Sequence, residues 1–181
     1  MDAKELMELL ARRRSIRKFT DEPVPPELVR QVAEAGLMSP SSKNDKEVVL
    51  VTVTDPETIR AMAGVKKAGG AFVKGAGALV VALGDSRKDI WMVDAGIAMT
   101  NMMAMAEALG LGSCWVQILN RFDGEGKPAE ENVREILGAP EHLGVLALLA
   151  LGWPAESQPP RTKEEMAVDR EGATRLFEEK F

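Results

Sequence analysis

An α+β domain, built on one mixed central β-sheet flanked by helices, is the architecture these 181 residues predict. Three observations point to it. Four short runs dominated by apolar residues, at 48–53, 78–83, 113–119 and 145–151, read as strands. Helical stretches lie before and between them without a strict strand–helix alternation, which favours α+β. Hydrophobic residues make up 45% of the chain, enough for one sizeable core.

Taken in order, the first element is MDAKELMELLARRR, with Leu6, Leu9 and Leu10 at helical spacing and none of the continuous apolar core of a signal peptide. It predicts an amphipathic helix in a cytoplasmic protein. Pro25-Pro26-Glu27-Leu28 opens a second helix, because the fixed φ of proline suits a first turn. Leu28, Val32, Ala35 and Leu37 share its apolar face, and Ser39-Pro40 ends it. Val48–Val53 is β-branched and almost wholly apolar, the pattern of a strand buried on both faces. Asp55-Pro56-Glu57 starts a short helix, and Ala78–Leu83 reads as a second buried strand stopped by Gly84-Asp85. The stretch from Ile90 to Leu109 is long enough to span a bilayer, but Asp94, Asn101 and Glu107 interrupt it. Ionisable groups at bilayer depth are costly, so it reads as a core helix surrounded by protein, with its methionines as packing. Gly110 and Gly112 close it before a third strand, 113–119; a polar loop at 121–129 and a short helix through Val133 and Leu137 lead to the fourth strand, ended by Gly152. Residues 154–163 are proline-rich and irregular. The expected organisation is a domain over 1–163 followed by a charged arm or helix, 164–181, whose thin apolar stripe calls for a partner surface.

Composition removes several chemistries. A single cysteine, Cys114, and a single histidine, His142, exclude an internal disulfide and a pair of zinc-binding imidazoles. The net charge of −5 and the pI near 5.1 argue against general attraction to nucleic acid or to an anionic membrane. That charge is uneven: residues 1–18 hold six basic against three acidic side chains, net +3, inside an acidic chain. Arg12, Arg13, Arg14 and Arg17, with Ser15 among them, either clamp a phosphate through guanidinium forks or simply oppose a helix dipole in solvent. Ser39-Pro40-Ser41-Ser42-Lys43-Asn44 either lines a ligand at the mouth of a strand or forms an ordinary polar turn. Gly110-Leu111-Gly112 follows a helix and opens a strand, the reverse of a dinucleotide loop. Gly69, Gly70, Gly75 and Gly77 lack P-loop spacing. Cys114 reads as a buried, inert thiol and His142 as a surface imidazole. Asp94 and Glu107 lie several helical turns apart and cannot share one acid–base site on that helix.

In order and spacing, these pieces resemble the FMN-dependent nitroreductase family. Arg13-Arg14-Ser15-Ile16-Arg17 with Phe19 is similar to its first flavin motif, and Pro40-Ser41-Ser42-Lys43-Asn44 to its second. Asp94-Ala95-Gly96, then Leu109 to Trp115, are similar to its central helix and following strand, and Leu151 to Glu156 with Pro160-Arg161 to its late turn and phosphate arginine. The resemblance covers about 4–163. It implies a homodimer with FMN in the interface, Arg13, Arg14, Ser15 and Arg161 on the FMN phosphate, and Arg17 at the pyrimidine edge. It further implies Pro40, Ser41, Ser42 and Asn44 lining the site from the second subunit, backbone of Cys114, Trp115, Val116 and Gln117 at the reactive face, and residues 164–181 reaching over the partner. The implied reaction passes hydride from NAD(P)H through FMN to a nitroaromatic, quinone or similar acceptor in ping-pong fashion, with no protein nucleophile and no metal. Flavin binding without turnover, or a related flavin reaction such as reductive dehalogenation, stays open at this point. Two departures from the family pattern stand out: Lys46-Glu47-Val48 in place of a Gln-Pro-Trp-like run, and Gln117 in place of a glycine.

Overall fold

In the computed structural model, which describes residues 2–162, Asp2 starts helix α1 (Ala3–Arg12). Its carboxylate accepts from Glu5 N at 2.8 Å while the Glu5 carboxylate accepts from Asp2 N at 2.7 Å, so two orphan donors of the first turn are satisfied reciprocally. Only Leu9 of this helix is buried; Leu6, Met7 and Leu10 face outward. Helix α2 (Pro26–Leu37) begins with proline in its first turn and buries Val29, Val32, Ala33, Ala35 and Gly36. The residues that follow include a single 3-10 turn, Ser42–Asn44, and lead into β1 (Val48–Val53).

The sheet has the order β1-β2-β4-β3, with β2 at Ala78–Asp85, β3 at Gly112–Gln117 and β4 at Leu143–Gly152. All three of its ladders are antiparallel, and a parallel element enters as the bridge between Ser15 and Ser113. The central pair, β2 and β4, is covered on both faces because successive side chains point to opposite sides. Val80, Ala82, Leu149 and Leu151 meet α2 and helix α4 (Trp91–Ala108). Leu79, Val81, Leu83 and Leu148 meet α3 (Pro56–Met62) and α5 (Ala129–Leu137) on the other face. Each fully buried leucine stabilises this core by about 1.5–3 kcal/mol.

Four sequence expectations need correction. Val48–Val53 is not buried on both faces: it is the edge strand, paired only with β2, and the helices cover it incompletely, leaving Val49 39% exposed. Gly84-Asp85 does not stop β2, since β4 continues to pair there, Gly84 with Gly144 and Asp85 with Leu143. The third strand ends at Gln117 because Ile118 N and Leu119 N both point to the Leu146 carbonyl, each at 3.1 Å, and the ladder is lost. Helix α4 is likewise not enclosed within one chain, as Met92, Val93 and Ile97 face outward. Among the described residues no helix is long and apolar enough to cross a membrane. The arm expected at 164–181 lies outside the described residues.

Candidate functional site

After α1 the chain runs extended from Arg13 to Thr20 as a strap across the ends of β3 and β4. Ile16 N donates to Ser113 O at 3.0 Å, Thr20 N to Trp153 O at 2.9 Å, and Ala155 N to Lys18 O at 2.9 Å. Glycines at the strand ends allow this approach. A Cβ on Gly112 would lie 2.8 Å from Ile16 Cγ2, and one on Gly152 would lie 2.7 Å from Phe19 Cδ1. On an extended chain alternate residues face opposite ways, and the strap's arginines are sorted accordingly.

Arg13, Ser15 and Arg17 act on the Cys114 side: burial pushes the Cys114 thiol up, while the Arg17 cation and the Ser15 hydrogen bond oppose that rise. Arg14 turns the other way. Its Nη1 donates to the Pro159 carbonyl, and it lines a cleft of about 250 Å³ with Arg12, Ile16, Glu107, Gly112 and Glu156. The chain returns to the strap at Arg161, whose N donates to Ala11 O at 2.9 Å and whose Nη1 donates to Arg13 O at 3.2 Å. Burial and the Arg161 charge both draw Arg13 below its ordinary value. Two half-buried arginines thus meet from opposite ends of the sequence, with Ser15 on the Arg13 side of the strap, a donor set suited to a phosphate dianion.

The strap is further clamped by Glu156, whose Oε1 accepts from Arg17 N at 2.6 Å and Lys18 N at 3.1 Å. Those backbone hydrogen bonds hold the Glu156 carboxyl below its ordinary value. The Arg17 guanidinium lies 6.0 Å from the Phe72 ring centroid, within cation–π reach.

Sequence reasoning passed over Lys66. Its Nζ donates to Gln117 O at 3.0 Å, and burial, then Arg121, draws its ammonium below the ordinary lysine value. The segment that carries it is tied down by Lys67 N to Phe122 O at 2.9 Å and by Asn132, whose Nδ2 donates to Val65 O at 3.2 Å and to Asp123 Oδ2 at 3.0 Å. Lys66 and Arg17 both act on Cys114, so two cations from separate segments lie toward β3. Gln117, standing where the resembled family has glycine, turns its amide along the strand: Oε1 accepts from Trp115 Nε1 at 2.9 Å and Nε2 donates to Leu119 O at 3.1 Å. A lysine in a glycine-bearing connector looks like any solvated cation, and no pattern in the sequence marked it.

Pro40, Ser41, Ser42 and Asn44 are not part of this cluster. Their loop is fastened to α4: the Asp94 carboxylate accepts from Ser42 N at 3.2 and 3.0 Å, and Asn101 Nδ2 donates to Ser39 Oγ at 2.9 Å. Glu107, near the other end of α4, meets Arg12 Nε at 3.4 Å beside the strap. Asp94 and Glu107 are thirteen residues apart, which at 1.5 Å per residue separates loop and strap by about 20 Å along the helix. Between them, α1, the end of α2 and α4 enclose an apolar groove of about 260 Å³ lined by Leu6, Leu9, Ala35, Met38, Met105 and Ala108. Leu37 and Met38 beside it are 61% and 79% exposed. His142 is exposed, and its carbonyl accepts from Ser86 N and Oγ, each at 2.9 Å.

Comparison with known proteins bears on this arrangement. The model of the nitroreductase family matches residues 10–71 and 65–153. An FMN-dependent nitroreductase from Clostridium difficile R20291 is 30% identical and superposes with a TM-score of 0.89, covering 97% of this chain and 99% of that one. The FMN reductase (NAD(P)H) of Bacillus subtilis strain 168 is 31% identical over 192 residues, 92% of this chain and 74% of its own length. The NADPH:FMN oxidoreductase of Vibrio harveyi, solved in complex with NAD+, is 28% identical with a TM-score of 0.70, covering 95% of this chain and 79% of that one.

Proposed function

Because this chain belongs to the nitroreductase family, we propose that it is an FMN-dependent NAD(P)H oxidoreductase working as a homodimer. The observation that carries this reading is the meeting of Arg13 with Arg161, which offers paired guanidiniums to the FMN phosphate, with Ser15 on the Arg13 side of the strap. The residues present fit such a group. The arginines are half-buried, so their charge is only partly screened, and Ser15 stands on the same side of the strap.

Arg17 and Lys66 supply positive charge along β3, which would stabilise negative charge on the pyrimidine edge of a bound flavin. Positions 114–117 offer backbone groups on the same strand, with the Gln117 carbonyl already engaged by Lys66. Arg14 supports the phosphate site indirectly, by holding the 159–161 turn through the Pro159 carbonyl. When bound, FMN supplies the redox chemistry, accepting hydride from a reduced nicotinamide and delivering reducing equivalents to a nitroaromatic, quinone or similar acceptor in a second half-reaction. No side chain of the protein need act as a nucleophile; the chain binds, orients and sets the charge.

Distance and exposure support the two-copy arrangement. A loop about 20 Å along α4 from the strap cannot close on the same phosphate site within one chain, whereas the loop of a second copy can approach it. The outward apolar residues of α1, α2 and α4 give that copy a surface to cover.

An absorbance spectrum of purified protein, then FMN titration and anaerobic titration with NADH and NADPH, tests the reading. Flavin absorbance that bleaches with one or both nicotinamides and returns with a quinone is expected. A colourless protein that takes up no FMN overturns it, and bound FMN that no nicotinamide reduces leaves binding without turnover as the correct description.

A further inference from the structure

The loop between α2 and β1 has an unusual backbone. Lys43, Asn44 and Lys46 have φ of 53°, 60° and 54°, all in the left-handed region that glycine fills easily and side-chain-bearing residues seldom adopt. Three such residues in four positions persist only where the surroundings dictate them. Hydrogen bonds supply the constraint. Asp94 sets both carboxylate oxygens against Ser42 N, Asn101 grips Ser39 Oγ from two turns further along the same helix, and Ser41 Oγ accepts from Lys46 N at 2.9 Å. Asp94 is only 3% exposed. A buried carboxylate is expensive to keep unless its hydrogen bonds do something an apolar side chain cannot. On α4 every other buried position is apolar, so packing does not require an acid at 94. What the acid adds is the bracket on the loop.

We propose that Asp94, seconded by Asn101, is a positioning residue: it holds the 39–46 loop in its strained shape so that Ser41, Ser42 and Asn44 are presented to the flavin carried by the strap of the second copy. The inference rests on the flavin reading above and extends it to a residue that touches the cofactor only through the loop. Packing of α2 against α4 would orient the loop coarsely without it, whereas the left-handed backbone at Lys43, Asn44 and Lys46 needs the bracket.

Asp94→Leu and Asp94→Asn, compared with the parent, test this by FMN titration through flavin fluorescence, by tryptic cleavage after Lys43 and Lys46, and by thermal unfolding. Losing the acceptor of a part-buried N–H should weaken FMN binding about 10- to 100-fold in Asp94→Leu and hasten cutting at the two lysines. Asp94→Asn should recover much of both, since its amide oxygen still accepts from Ser42 N. Should Asp94→Leu fail to fold, Ser39→Ala removes only the Asn101 contact and should weaken FMN binding about two- to fivefold. A parent that binds FMN while the folded variants bind it equally well and resist trypsin equally well overturns the positioning role alone. A parent that binds no FMN overturns the flavin reading and this inference with it.

Discussion

The arginine strap and the serine loop are both polar, irregular and free of glycine, yet they are held in opposite ways. The strap is fixed through its backbone: Ile16 and Thr20 donate N–H groups to Ser113 and Trp153, and Gly112 and Gly152 make room for Ile16 and Phe19. Arg14 apart, whose guanidinium holds the Pro159 carbonyl, its charged side chains take little part in that fixing, which leaves Arg13 and Arg17 available for a ligand. The loop is fixed through side chains, those of Asp94, Asn101 and Ser41. Substitutions in the strap should therefore separate binding from folding, and substitutions around the loop should move the two together.

Arg13→Ala offers the sharpest separation. Removing one charge-assisted partner of the phosphate should weaken FMN binding by about 1.5–3 kcal/mol, while the urea midpoint stays level or rises slightly because the repulsion from Arg161 is relieved. Equal losses in binding and stability, measured by FMN titration and urea unfolding, would break the comparison. Next in size is Gly152→Ala, where a Cβ 2.7 Å from the Phe19 ring must push the strap off its strand. Overpacking of this kind costs about 1–3 kcal/mol, and here stability and FMN affinity should fall together, because the backbone itself is displaced. A smaller effect is expected from acid. The Glu156 carboxyl is held low by Arg17 N and Lys18 N, so its contribution is present above the ordinary glutamate value, about 4.3, and is lost as pH falls through its depressed value in the folded chain. Protection of the Arg17 and Lys18 amides, read as exchange relative to that of an unstructured peptide at the same pH, should fall as pH drops through that depressed value in the parent. In Glu156→Gln, which keeps an acceptor without a titration, that protection should vary far less with pH over that range.

Much of the fold was legible because apolar runs, prolines and glycines mark elements locally. Pro26 and Pro56 sit in first turns as expected, and the runs at 78–83 and 145–151 became the two central strands. What a local pattern cannot carry is neighbourhood. Val48–Val53 has the composition of an interior strand and lies at the edge, because pairing order depends on the whole chain. The site divides along the same line. Arg13, Ser15 and Arg17 share a face by simple alternation, a signal that also separates them from Arg14 and that a strand-like reading of the strap would have exposed. The meeting of Arg161 with Arg13 spans nearly the full sequence and came into view through family resemblance. Asp94 looked like an interruption of an apolar helix, and only its distances to Ser42 N reveal it as a bracket. The left-handed residues at 43, 44 and 46 carry no glycine to announce them.

Helix α4 has a consequence for inheritance. In the proposed pair each copy lends its loop to one site and its strap to the other, while α4 ties both to a single rigid rod. Damage to a strap and damage to a loop thus fall on different cofactors when they occur in the same chain. When a strap-defective chain meets a loop-defective one, both faults land on one site and the other is left whole. Two alleles that are each inactive alone would then yield, in mixed cells, a pair with one working centre.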